Sequence, residues 1–236
     1  MPCHDHCETI SCVSRQRPML AVLLLSAIGA ALPLAACAKQ PAAEGLTERA
    51  DHAYKFERYE EAEGYYGQVV DRYPGDWESQ YKLGLTQLRL DRPAEARRSL
   101  EVALTRRPKD ERIADALAEA IYRTGDENDL YTFLRGRAQE RQTVHAHMRF
   151  ARYAIDLGDP DSATLAVDTA IQIDNGATAD PYLLAARIAR DIGELDLAVR
   201  RLRQAYFIEP EREETREQLI ALGEVPGPTV GLPPGR

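Results

Sequence analysis

Cys3, His4, His6, Cys7 and Cys12 crowd into the first dozen residues, and thiolate with imidazole is the donor set of a zinc site. Such a site needs four ligands held by a fold, and the residues next in the chain do not read as the start of a core. Arg15 and Arg17 precede an apolar run from Met19 to about Leu32 that is too short for a comfortable membrane span and is closed by small residues. That order describes a secretory signal peptide, so residues 1–36 are expected to be cleaved away and the cysteine–histidine cluster with them. A signal beginning near Val13 would already be complete. Elsewhere the candidates for chemistry are thin. His145 and His147 lie two apart, point to different sides of a helix and make a poor metal pair, and His52 stands alone. Glu60-Glu61 and Glu213-Glu214 read as solvated faces, and no nucleophile elbow, phosphate loop, dinucleotide loop or zinc-protease helix is present. The expectation is a protein with no catalytic residues, no metal, no cofactor and no small-molecule substrate.

One cysteine is different. Leu34-Ala35-Ala36-Cys37 resembles the bacterial lipobox, in which leucine and two small residues precede the cysteine that becomes the new N-terminus. The resemblance implies diacylglycerol on the Cys37 sulfur, cleavage before it and acylation of its amine, and two or three acyl chains anchor stably where one does not. The implied location is a bacterial membrane, with the chain facing the periplasm. Ala38 follows Cys37, where aspartate marks inner-membrane retention in some bacteria, so the outer membrane is favoured. With Cys3, Cys7 and Cys12 removed and Cys37 lipidated, no thiol is left for a disulfide or a nucleophile.

The elements that must position any site come from a repeat. Of 236 residues, 44% are apolar and 7% aromatic, and the net charge is −8. Asp5, Glu8, Arg15 and Arg17 cancel, so the chain beyond residue 36 also carries −8 and repels nucleic acid phosphates. Ala62 and Pro74, then Ala96, Ala103 and Pro108, then Ala198, Ala205 and Pro210 keep one internal spacing, with a period near 34 residues. Small residues at fixed places let paired helices approach, and prolines end one unit before the next. This pattern resembles the tetratricopeptide repeat. The resemblance implies an all-α, right-handed superhelical solenoid of about five units, at 43–76, 77–110, 111–143, 144–177 and 179–212. Gly84, Ala118, Ala151 and Ala186 are its small residues on the first helix of a unit, and Gly125, Gly158 and Gly193 are placed where that helix ends. The third unit should be the least regular, with Leu130 for the usual alanine and Gln142 for the terminal proline. A tether over 37–45 precedes the array. A capping helix over 213–223 follows it, and the Pro/Gly-rich tail 224–236 is expected to be disordered.

Function in such an array lies on its concave wall. By the family register that wall includes Tyr54, Tyr81, Leu85, Leu88, Arg89, Tyr122 and Arg123, and continues through Met148, Arg152, Ile155, Leu183 and Arg187. An aromatic and aliphatic strip bordered by arginine suits an amphipathic helix or an extended apolar peptide with acidic flanks. The family's chaperone-binding members hold a carboxylate with Lys and Asn on the first helix; here Thr47 and Asp51 stand at those places, so the clamp is incomplete although Arg112 fits a later position. The chain as a whole resembles pilotins and Tad-pilus assembly lipoproteins. The implied role is a membrane-tethered adaptor for another envelope protein, in assembly of a pilus, secretion or outer-membrane machine. Two alternatives stay open: a periplasmic factor that recruits a cell-wall enzyme, and an accessory of outer-membrane barrel assembly.

Overall fold

The structure is a computed structural model and describes residues 43–234; Cys37, the segment before it and most of the tether lie outside them. Eleven helices make up the described region, which holds no strand. The odd-numbered helices are the inner members of each pair: α1 (Ala43–Lys55), α3 (Trp77–Arg89), α5 (Glu111–Thr124), α7 (Val144–Asp156) and α9 (Asp180–Asp191). Their outer partners are α2 (Tyr59–Arg72), α4 (Pro93–Arg106), α6 (Glu127–Arg141), α8 (Pro160–Asp174) and α10 (Leu195–Ile208). The single helix α11 (Glu213–Ala221) covers the last pair, with Thr215 and Leu219 buried. Each helix packs mainly on its neighbours in sequence, which is the pattern of a solenoid.

Small side chains set the approach within pairs. Ala62, Ala96, Ala163 and Ala198 are fully buried at equivalent places on the outer helices. Gly84 meets Leu100 so closely that a methyl added to it would stand 2.5 Å from Leu100 Cγ. In the third pair Leu130 replaces the alanine and is itself buried, and α5 and α6 pack less closely than the other pairs. A branched side chain at the contact holds the two backbones apart.

The turn inside each pair calls for one residue with left-handed backbone. Gly125, Gly158 and Gly193 supply it in the last three units, with φ of 77°, 77° and 84°. Glu57 and Asp91 supply it in the first two, with φ of 59° and 56°, although neither is a glycine. The turns between units divide the same way. Before Pro74, Pro108 and Pro210, the residues Tyr73, Arg107 and Glu209 adopt an extended φ near the value a following proline demands. Where proline is missing, Gln142 and Asn175 end α6 and α8 in the left-handed region instead.

Helix α1 begins at Ala43, where the first unit was expected to start. One boundary differs from the sequence expectation. The tail is not helical, but residues 230–234 lie against the last repeats instead of hanging free. Val230 joins the terminal core cluster, and Leu232 donates its amide to the Arg203 carbonyl. Apolar residues spaced between prolines and glycines found a helix surface to cover, which the composition of the tail alone did not foretell.

Candidate functional site

The inner helices line a groove whose first half is aromatic. Tyr54, Tyr66, Tyr81 and Leu85 wall a cavity of about 340 Å³, with Asp51 and Lys82 at its edge. Three of the polar groups there, Asp51, Tyr66 and Lys82, satisfy one another. Tyr66, almost fully buried, donates its hydroxyl to Asp51, and Lys82 Nζ donates to the same carboxylate at 3.0 Å and pairs with Glu78 at 3.1 Å. Burial, reinforced by the Asp51 carboxylate, pushes the Tyr66 hydroxyl well above its ordinary pKa, so it stays a donor. Tyr54 makes an edge-on contact with Tyr59 at 5.4 Å. What remains to face a ligand is ring and aliphatic surface, already held in place.

Tyr54 and Leu85 also line the adjoining cavity of about 480 Å³, with Leu88, Arg89, Ala116, Glu119 and Arg123. Arg123 donates to Glu119 at 2.6 Å and to the Leu88 carbonyl at 3.1 Å, which ties α5 to α3. Beyond it Tyr122, 38% exposed, leans on Tyr153 at 5.4 Å between ring centres, and the Tyr153 hydroxyl donates to Glu119 at 3.0 Å. A third cavity of about 540 Å³ opens between α7, α9 and α11, where Met148, Leu183, Arg152 and Arg187 meet Arg190 and Arg212. Ile155 is partly buried against the last-repeat core.

Of the twelve residues expected on the wall, Tyr54, Tyr81, Leu85, Leu88, Arg89 and Arg123 line the first two cavities and Met148, Arg152, Leu183 and Arg187 the third, with Leu88 and Leu183 in a different role. Each is only 8% exposed, so they brace neighbouring inner helices and offer a partner little area. Arg89, Arg123, Arg152 and Arg187 keep their guanidinium groups accessible, Arg187 in pairs with Asp156 at 3.1 Å and Asp191 at 3.6 Å. Sequence reasoning did not place Tyr66, Lys82 or Tyr153 at the groove. Tyr66 comes from an outer helix and reaches the cavity between inner ones, which an inner-helix register cannot find.

An ion cluster joins α5, α6 and α7. Arg149 is 1% exposed; it donates to Glu111 and, at 2.6 Å, to Asp115. Arg141 reaches Glu111 at 3.4 Å, and His145 Nε2 lies 2.7 Å from Asp115. Burial alone would raise both carboxyls, but hydrogen bonds and charge from Arg149, aided by His145 at Asp115 and by Arg137 and Arg141 at Glu111, hold them below the usual range. Arg137 is buried with Nε and Nη2 lacking acceptors, and burial lowers its pKa. Among the described residues no group of three or more metal-ligating side chains converges, and no helix is long and apolar enough to cross a membrane.

Comparison with known proteins agrees with this architecture. A family profile described as tetratricopeptide repeat matches residues 47–111. No curated protein sequence matches the chain. PilW, described as a widely conserved type IV pilus biogenesis factor, is 22% identical with a TM-score of 0.58, over 75% of this chain and 82% of that one. A thermophilic tetratricopeptide protein of Thermus thermophilus is 20% identical with a TM-score of 0.53, over 77% of this chain and 98% of its own. YrrB, described as having an unusual peptide-binding site, is 16% identical with a TM-score of 0.50, over 75% and 91%. Five helix pairs, their shared turns and these likenesses together give the chain the fold of a tetratricopeptide-repeat solenoid, closed by a single capping helix.

Proposed function

We propose that this protein is an exported, lipid-anchored adaptor that holds a peptide segment or helix of another envelope protein in its concave groove. The observation that carries the reading is the preformed aromatic cavity of Tyr54, Tyr66, Tyr81 and Leu85, in which Asp51 already pairs with Tyr66 and Lys82. A wall of this kind binds apolar side chains, and holding it rigid in advance lowers the entropic cost of docking. The accessible arginines at its border suit acidic groups on the segment's flanks. Lipid on Cys37 would keep the groove at the membrane where envelope machines assemble. The likeness to PilW favours a pilus or secretion machine among such assemblies.

Leu85 and Tyr122 test this directly, because both line the groove and neither is fully buried. Leu85→Asp with Tyr122→Ala should abolish pull-down of the partner from envelope extracts. Helicity and melting temperature should stay close to the parent's. Capture of the same partners by the double variant would move the binding face elsewhere.

A further inference from the structure

The cavity between α7, α9 and α11 holds more positive charge than its surroundings answer. It is lined by four arginines, Arg152, Arg187, Arg190 and Arg212, and by two carboxylates, Asp180 and Glu214. The chain as a whole carries a net charge of −8, so a cationic cavity runs against its average. Both carboxylates are engaged by one guanidinium: Arg212 donates to Asp180 at 2.5 Å and to Glu214 at 3.2 Å. Arg187 is met from the rim by Asp156 at 3.1 Å and Asp191 at 3.6 Å. Arg152 has only Asp115, at 3.9 Å, and that carboxylate already accepts from Arg149 at 2.6 Å and lies 2.7 Å from His145. Arg190 makes no ion pair among the described residues, and like Arg152 it is exposed.

Two guanidinium groups therefore line the cavity without a close carboxylate of their own, beside the partly buried Met148 and the edges of Leu183 and Leu184. Like charges on one wall repel, and an acidic group set among them relieves that repulsion while it accepts paired hydrogen bonds from the guanidinium fork. Once the signal is removed, the segments outside the described residues do not supply one. Residues 37–42 hold no acidic side chain, and residues 235 and 236 are glycine and arginine. We propose that this cavity takes an acidic segment of the partner protein, with side-chain carboxylates on Arg152 and Arg190 and a neighbouring apolar side chain on Met148. The assignment rests on the reading of the concave wall as the binding face, and it gives the capped end of that wall its ligand chemistry. Binding of this kind weakens as salt rises, because the two arginines are exposed.

The test titrates the purified protein into a fluorescein-labelled peptide, Gly-Ser-Leu-Asp-Phe-Glu-Asp-Leu-Gly-Ser, and reads its anisotropy. The peptide is amidated at its C-terminus, so that only side-chain carboxylates are offered. A control peptide carries Asn for Asp and Gln for Glu. The acidic peptide should bind the parent chain about tenfold more tightly than the control. Arg152→Ala with Arg190→Ala should lose about the same tenfold, as expected when two exposed ion pairs are removed. Arg98→Ala with Arg200→Ala takes the same charge from exposed places on α4 and α10 and should keep the parent's affinity. Equal loss in the two double variants would reduce the effect to overall charge and overturn the proposal. So would equal binding of the two peptides, failure of the acidic peptide to bind, or its displacement by inorganic phosphate at the peptide's own concentration. Self-association of the parent in sedimentation that disappears in Arg152→Ala with Arg190→Ala would assign the cavity to a second copy, whose first repeat lines a cavity with Glu44, Glu48, Asp76 and Glu78, and would overturn a separate partner. The Leu85 and Tyr122 pull-down is independent of this titration, so the cavity assignment can fail while the groove reading stands.

Discussion

At the scale of the residue, Arg149 decides more than any groove side chain. It is enclosed almost completely, so its charge must be met inside the protein, and Glu111 and Asp115 meet it. Removing one partner of a buried pair leaves the other charge stranded. Glu111→Ala should therefore cost about 3 kcal/mol, at the low end for such pairs because Glu111 keeps some contact with water. Denaturant unfolding followed by circular dichroism measures it. The same two carboxyls make stability depend on pH. Their folded pKa values are depressed, so their contribution is complete above the unfolded values and is lost as pH falls through the folded ones. The melting temperature should fall as pH drops from about 5 toward 2, and less steeply in Glu111→Ala than in the parent.

The element that repeats most faithfully is the turn between paired helices. All five turns place one residue in the left-handed region, yet two spend a side chain there. Left-handed backbone costs an ordinary residue roughly 1–2 kcal/mol, while glycine loses roughly 0.5–1 kcal/mol more on ordering. Glu57→Gly should therefore raise stability by about 0.5–1 kcal/mol. Glu57 is exposed, so no packing is lost to confuse the result. A lower unfolding midpoint for Glu57→Gly would show that the first turn is not strained. The loosened α5–α6 pair belongs to this scale as well, since one leucine in place of an alanine changes how a whole helix sits.

For the whole molecule the question is where the solenoid is held. Lipid attachment is the part of this reading that mutation can isolate. Cys37→Ser should abolish incorporation of an acyl-chain analogue and release the protein from the membrane fraction. The purified variant should keep its helicity and groove. Labelling that persists in Cys37→Ser would place the lipid elsewhere.

The sequence by itself determined the repeat. Ala62, Ala96 and Ala198, Pro74, Pro108 and Pro210, and the glycines at 125, 158 and 193 act through contacts within a few turns of chain, so their spacing carries the architecture. The side of each inner helix expected to face the groove came from the family register, not from the residues alone. Depth was not legible. Leu88 and Leu183 share a register with accessible neighbours and are nonetheless closed off, because exposure depends on how near the adjacent helix comes. Nor was the union of Arg149 with Glu111 and Asp115, or of Tyr66 with Asp51, since those partners are brought together by the packing of successive helices. The tail makes the same point most plainly. Its glycines and prolines exclude a helix, but only the finished surface of α10, with Arg203 and Phe207 in place, gives residues 230–234 somewhere to lie.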